Sequence, residues 1–115
     1  AGYRTGPVYI RKSKHTPPTK SAVRELMPAL FDLLMEEENP AVRVVLGHFI
    51  FVYIHPYFDG NGRIGRFIMN LMMAAGGYSW TVVPVERRGE YMETLETASV
   101  ELNITPFTKL LASLL

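Results

Sequence analysis

The chain has 115 residues, 48% hydrophobic and 20% charged, with a formal net charge of +1. That is the composition of one ordinary globular domain, and so small a charge gives no electrostatic pull toward nucleic acid or an anionic membrane. The absence of cysteine excludes a disulfide framework and thiolate metal sites, and the longest apolar stretch, Val44–Ile54, is too short to span a bilayer.

Residues 1–20 contain three prolines, two glycines and a basic cluster of Arg4, Arg11, Lys12, Lys14 and Lys20. Within them Val8-Tyr9-Ile10 is a short β-prone run, read as an exposed strand or hairpin arm against the alternative of a surface loop. A first helix is predicted from about Ser21 to Glu38. Val23, Leu26, Met27, Leu30, Phe31 and Leu34 recur at helical spacing, and Ser21 serves as N-cap. Pro28 removes one backbone hydrogen bond and predicts a kink or a later start. Asn39-Pro40, a cap followed by proline, opens a second helix. From Val42 to Ile54 it is apolar on nearly every face, the pattern of a central helix, and Pro56 stops it at His55. A third helix starts within Asn61–Arg63 and ends at Gly76-Gly77, with Ile64, Phe67, Ile68, Leu71, Met72 and Ala75 on its buried face. Tyr78–Val85 reads as a loop with some extended character. A fourth helix spans about Arg87–Val100, and a fifth starts at Thr105-Pro106. The fold class is all-α with one small β element.

The run His55-Pro56-Tyr57-Phe58-Asp59-Gly60-Asn61-Gly62-Arg63-Ile64-Gly65-Arg66 lies between the second and third helices. Gly60 and Gly62 permit a turn whose successive N–H groups form an anion-binding nest, and the nest opens a helix whose N-terminus also favours a phosphate. Arg63 and Arg66, three residues apart, project on one side. A cation in a helix's first turn opposes the helix dipole, so this pair calls for an anionic partner. Asp59 offers an oxygen ligand to Mg²⁺, and His55 has the side chain that takes up a proton near pH 7. Taken singly, each feature has a bland reading as a turn, a helix cap or surface arginines. Together at this spacing they point to phosphate chemistry. His48 lies two helical turns before His55. A His48/His55/Asp59 metal site competes there with a satisfied core histidine.

This run resembles the signature of the Fic family, His-x-Phe-x-(Asp/Glu)-Gly-Asn-Gly-Arg-x-x-Arg, at His55, Asp59, Gly60, Asn61, Gly62, Arg63 and Arg66, with Tyr57 in place of the usual Phe. Gly2-Tyr3-Arg4, Val8-Tyr9-Ile10, His15 and Pro17-Pro18 are similar to the family's segment leading into and through its target-docking flap. Phe67-Ile68-Met69-Asn70, Gly77-Tyr78 and Thr105-Pro106-Phe107 match its later course.

The resemblance implies a Fic-fold helical domain over residues 1–115, with a β-hairpin flap at about 5–18 and further helices upstream of Ala1. It implies transfer of AMP from ATP to a Ser, Thr or Tyr hydroxyl of a target protein. In that scheme His55 is the base, and Asp59 holds Mg²⁺. Gly60, Asn61 and Gly62 cradle phosphates, Arg63 meets the leaving pyrophosphate, and Arg66 meets the γ-phosphate. Val8, Tyr9 and Ile10 would pair with the target backbone. Tyr91 sits where the family often places an aromatic near the base, or is simply a half-buried helix residue. Ser99 stands where the family often has Asn. Another donor nucleotide, removal of AMP, or a non-catalytic binding module are the alternatives. Many relatives carry an inhibitory helix, (Ser/Thr)-x-x-x-Glu-(Gly/Asn), whose Glu pairs with the second arginine. Ser21–Glu25 begins that pattern but continues with Leu26 and sits in the first helix, so an inhibitory helix lies upstream of Ala1, belongs to a separate partner such as an antitoxin, or is absent. The expected location is cytoplasmic, with neither nucleic acid nor membrane as partner.

Overall fold

The computed structural model describes residues 2–115, and among these it contains five α-helices and no strand. They are α1 (Lys20–Glu36), α2 (Pro40–Ile54), α3 (Asn61–Ala75), α4 (Arg88–Glu101) and α5 (Thr105–Leu114). A single 3₁₀ turn, Val85–Arg87, leads into α4. No helix among the described residues is long and apolar enough to cross a membrane.

Local chemistry sets the boundaries. Thr19, not Ser21, caps α1, accepting the Ala22 N–H on its side-chain oxygen. The helix runs through Pro28, which faces solvent, so neither a break nor a late start occurs. Asn39 caps α2 through its side chain, with Pro40 at the first helical position. Helix α2 is the centre of the molecule: it packs on α1, α3, α4 and α5. Two cores flank it. One joins Val44, Met69, Met73, Tyr91, Leu95 and Phe107 across α2 to α5, and the other joins Val23, Met27, Leu30, Phe51 and Ile54 across α1 and α2.

Two expectations need correction. The buried face of α3 is Asn61, Gly65, Met69, Asn70 and Met73, while Phe67 and Leu71 are exposed. Gly65 allows this rotation. A Cβ there would sit 3.1 Å from Phe51 Cδ1 and 3.3 Å from His48 Cε1, so the bare backbone of α3 lies directly on α2. The second correction concerns Val8-Tyr9-Ile10, which forms no strand. The segment is irregular, turning at Ile10–Ser13 through a 3.1 Å Ser13 N–H to Ile10 carbonyl bond with Lys12 at φ 63°. A two-stranded hairpin with neither face buried has little to hold it in water, and Tyr9 is 90% exposed.

Candidate active site

His55 is the C-cap of α2 and takes the left-handed conformation, φ 52° and ψ 62°. Pro56 disfavours the α region for it. A non-glycine residue held there stores strain unless its surroundings fix it. The fixing group is Arg4, which is 2% exposed. Its Nε donates to the His55 carbonyl at 2.7 Å, and its Nη2 donates to the Ile54 carbonyl at 3.1 Å and to that of Pro18 at 2.5 Å. Nη1 donates to the Gly6 carbonyl at 3.1 Å, and the Arg4 backbone N–H to that of Pro56 at 2.8 Å. His15 Nε2 donates to the Tyr53 carbonyl at 2.8 Å. The carbonyls that α2 leaves unpaired at its end are therefore taken by the side chains of Arg4 and His15, and the Arg4 charge also suits the negative end of the helix.

The His55 ring is half-buried. Its Nδ1 is buried without a well-formed hydrogen bond, so Nε2 is the nitrogen open to a reactant. Burial pushes its pKa below the ordinary imidazole value. The Val52 carbonyl opposes this, and the charges of Arg4 and His15 add to it. At neutral pH the ring is uncharged and able to accept a proton.

The loop beyond His55 is braced from within. Asn61, 3% exposed, accepts the Tyr57 N–H at 2.9 Å and donates to the Tyr57 carbonyl at 2.7 Å. The Tyr57 ring packs inward against Phe51 and Tyr3. Gly60, at φ 81°, is the N-cap of α3 and supplies no side-chain cap. The first intrahelical bond is from the Ile64 N–H to the Gly60 carbonyl, so the N–H groups of Asn61, Gly62 and Arg63 are not spent within the helix. With its side chain committed to Tyr57, Asn61 has its backbone N–H to offer an anion. Gly62 makes room for Arg66, whose Nη1 would lie 3.1 Å from a Cβ placed there. Asp59 is exposed, and its Oδ1 accepts the Gly60 N–H at 2.8 Å. One hard carboxylate beside unspent N–H groups fits Mg²⁺ shared with phosphate oxygens and water, the arrangement that ion favours.

From the arginines a cavity of about 400 Å³ runs between α3 and α4. Arg63, Arg66 and Tyr91 line it, together with Trp80, Arg88 and Met92, which sequence reasoning passed over. His55, Asp59 and the glycines stand outside it, on the loop leading in. Asn70 shapes its wall by bonding the Thr81 N–H and carbonyl at 2.7 and 2.9 Å. Tyr91 is 2% exposed, and its hydroxyl lies 2.6 Å from His48 Nε2. His48 Nδ1 faces the Gly65 carbonyl at 2.9 Å and must donate, so Nε2 accepts from Tyr91. Both ring nitrogens are used, which removes His48 as a metal ligand. No three His, Cys, Asp or Glu residues cluster among the described residues. Burial lowers the His48 pKa to about 4, and Arg66 adds to this.

Ser13 Oγ and the Lys14 N–H donate to the Glu96 carboxylate at 2.5 and 2.8 Å, tying the segment at 5–18 to α4. Arg4 and Glu96 were invisible as site residues because both are distant in sequence from what they hold. The signals available for Arg4 were its place in the Gly2-Tyr3-Arg4 resemblance and a segment, residues 1–20, with no acidic residue.

Residues 1–73, including all of this loop, match the Fic/DOC family. The chain belongs to the Fic/DOC family. It is 34% identical over 113 residues to the protein adenylyltransferase fic-1 of Caenorhabditis briggsae, covering 95% of this chain and 22% of that protein. It is 32% identical over 114 residues to the protein adenylyltransferase Fic of Nematostella vectensis, covering 96% and 26%. Among solved structures, a Fic domain containing signaling protein from Bacteroides thetaiotaomicron superposes with a TM-score of 0.90 at 25% identity, over 98% of this chain and half of that one. Fic-1 from C. elegans superposes at 0.86 with 31% identity, over 98% and 33%. This Fic chain thus spans about a quarter or less of the curated relatives just named.

Proposed function

We propose that the chain transfers AMP from ATP to a hydroxyl side chain of a target protein, with release of pyrophosphate. The observation that carries this is the sequence of groups along one path. A neutral His55 caps α2 at the start of the loop, unspent N–H groups follow at the start of α3, and Arg63 and Arg66 line a cavity of about 400 Å³. Relatives named protein adenylyltransferase, matching over nearly the whole chain, support the reaction class.

The hydroxyl oxygen forms a bond to the α-phosphorus as the bond to the pyrophosphate oxygen breaks, and the hydroxyl proton passes to His55 Nε2. Asn61, Gly62 and Arg63 bind phosphate oxygens through their backbone. Arg63 balances charge on the leaving group, and Arg66 holds the γ-phosphate. Asp59 would hold Mg²⁺, which when bound neutralises phosphate charge. Positioning and electrostatics carry most of such a reaction. The base lies among Trp80, Met92 and the wall shaped by Asn70, while Tyr91, already bonded to His48, orients that wall. Val8-Tyr9-Ile10 offers backbone groups to an extended target segment, whose arrival would supply the missing strand partner. An acidic residue from another segment or protein would compete with γ-phosphate for Arg66, the mode of inhibition the family pattern suggests.

Incubation with ATP labelled on the α-phosphate, Mg²⁺ and a lysate should label protein. His55→Ala should not. Equal labelling by both would sink the assignment. A stronger thermal shift with UTP or GTP than with ATP would move the donor away from ATP.

A further inference from the structure

Arg4 is the most fully buried charged side chain among the described residues, and no carboxylate pairs with it. Buried charges are ordinarily paired with an opposite charge. Four of its five N–H groups instead go to carbonyls, those of Ile54 and His55 at the end of α2 and those of Gly6 and Pro18. Gly6 and Pro18 bracket the segment read above as the target-docking flap. One planar fork therefore joins the flap's two ends to the backbone that aims His55. A guanidinium suits this task because its donors are fixed in one plane, whereas an ammonium is a single point.

We propose that Arg4 is a positioning residue of the transfer reaction: it holds His55 in the left-handed conformation that presents its ring, and registers the flap against that ring. The proposal rests on the adenylyl-transfer reading only for what His55 does.

Its rival is a purely structural role, in which Arg4 merely caps α2. The two differ in what substitution changes. Removing the charge in Arg4→Gln should shift the His55 imidazole NMR signals and raise its titration midpoint, since the Arg4 charge acts to lower it. The signals of His48 should stay in place. Arg4→Lys keeps the charge, so the midpoint should stay near that of the parent. Yet AMP transfer should still fall on the order of 100-fold, the cost of a misplacement of about 1 Å, while ATP affinity holds within a few-fold. Full transfer by Arg4→Lys, or loss of rate and ATP affinity in parallel, would overturn the proposal. So would unmoved His55 signals in Arg4→Gln. Should neither variant fold, the parent decides: its Arg4 Nε–H should exchange with solvent as slowly as the amides of α2, and exchange at the rate of surface arginines would overturn the proposal. A parent that transfers no AMP while the NMR results hold would refute the adenylyl-transfer reading and leave the Arg4–His55 link standing.

Discussion

His48 is wholly buried and neutral, with its pKa lowered to about 4 from 6.5. In the unfolded chain it would take up a proton as pH falls through 6.5, and the folded chain refuses that proton until about pH 4. Stability is therefore complete above about 6.5 and drains away as pH drops toward 4. The loss is on the order of 3 kcal/mol at most. Urea unfolding at pH 7 and pH 4.5 should show it, and His48→Gln should flatten the difference while lowering stability at pH 7. An unchanged slope in that variant would assign the pH dependence elsewhere. Arg66 supports a second prediction. If it meets the γ-phosphate, Arg66→Gly should weaken ATP binding about tenfold or more, as loss of a charge-assisted contact does, and AMP binding far less. Calorimetry showing equal losses would place Arg66 elsewhere. At this scale the sequence was legible where chemistry is local. His55, Asp59, Gly60–Gly62, Arg63 and Arg66 fall in one contiguous run, and all belong to one loop and helix start. Arg4 was not legible, because its four acceptors are backbone carbonyls, and backbone atoms leave no trace in the identity of a residue.

The helices themselves followed from caps and prolines. Asn39-Pro40, Pro56, Gly60 and Gly76-Gly77 each fixed an end within a residue or two. The face of α3 did not follow, for a physical reason. Hydrophobic periodicity weighs side chains, and it pointed to Ile64, Phe67 and Leu71. Ile64, Ile68 and Met72 do pack on the cores, but the fully buried positions are Met69, Met73, the bare Gly65 against α2, and two asparagines whose polar atoms find backbone partners. Gly65 and Gly47 give opposite expectations on this account. An added Cβ at Gly65 meets Phe51 Cδ1, His48 Cε1 and Val52 Cγ1 at 3.1–3.3 Å, all on α2 near the site. At Gly47 it meets the far ends of Met72 and Leu34, which can swing away. Gly65→Ala should thus cost about 1–3 kcal/mol as an overpacking change and perturb His48, whereas Gly47→Ala should be nearly neutral. Chemical denaturation of the two variants tests this, and equal losses would mean the α2–α3 contact is not the constraint described.

Across the whole molecule, three ties hold the segment at 5–18: Arg4 and His15 to the end of α2, and Glu96 to Ser13 and Lys14. Helix α4 thereby holds both Glu96 and the Tyr91 wall of the cavity. Glu96→Ala should raise hydrogen exchange in residues 8–14 and leave α2 and α3 unchanged. Spread of the effect into α3 would show that the tie supports the core as well. The β-prone composition of Val8-Tyr9-Ile10 is a property a strand needs, but no strand lies beside it among the described residues, so the sequence reading exceeded what these residues do alone.

The proposed reaction is defined by which phosphorus moves. The most direct measurement presents the protein and a lysate with ATP labelled on either the α- or the γ-phosphate, beside His55→Ala. Above the label that the lysate acquires by itself, protein should gain the α-label, as a whole AMP by mass, and no γ-label, and the variant should add neither. Transfer of the γ-label, or α-labelling that survives His55→Ala, would contradict the account.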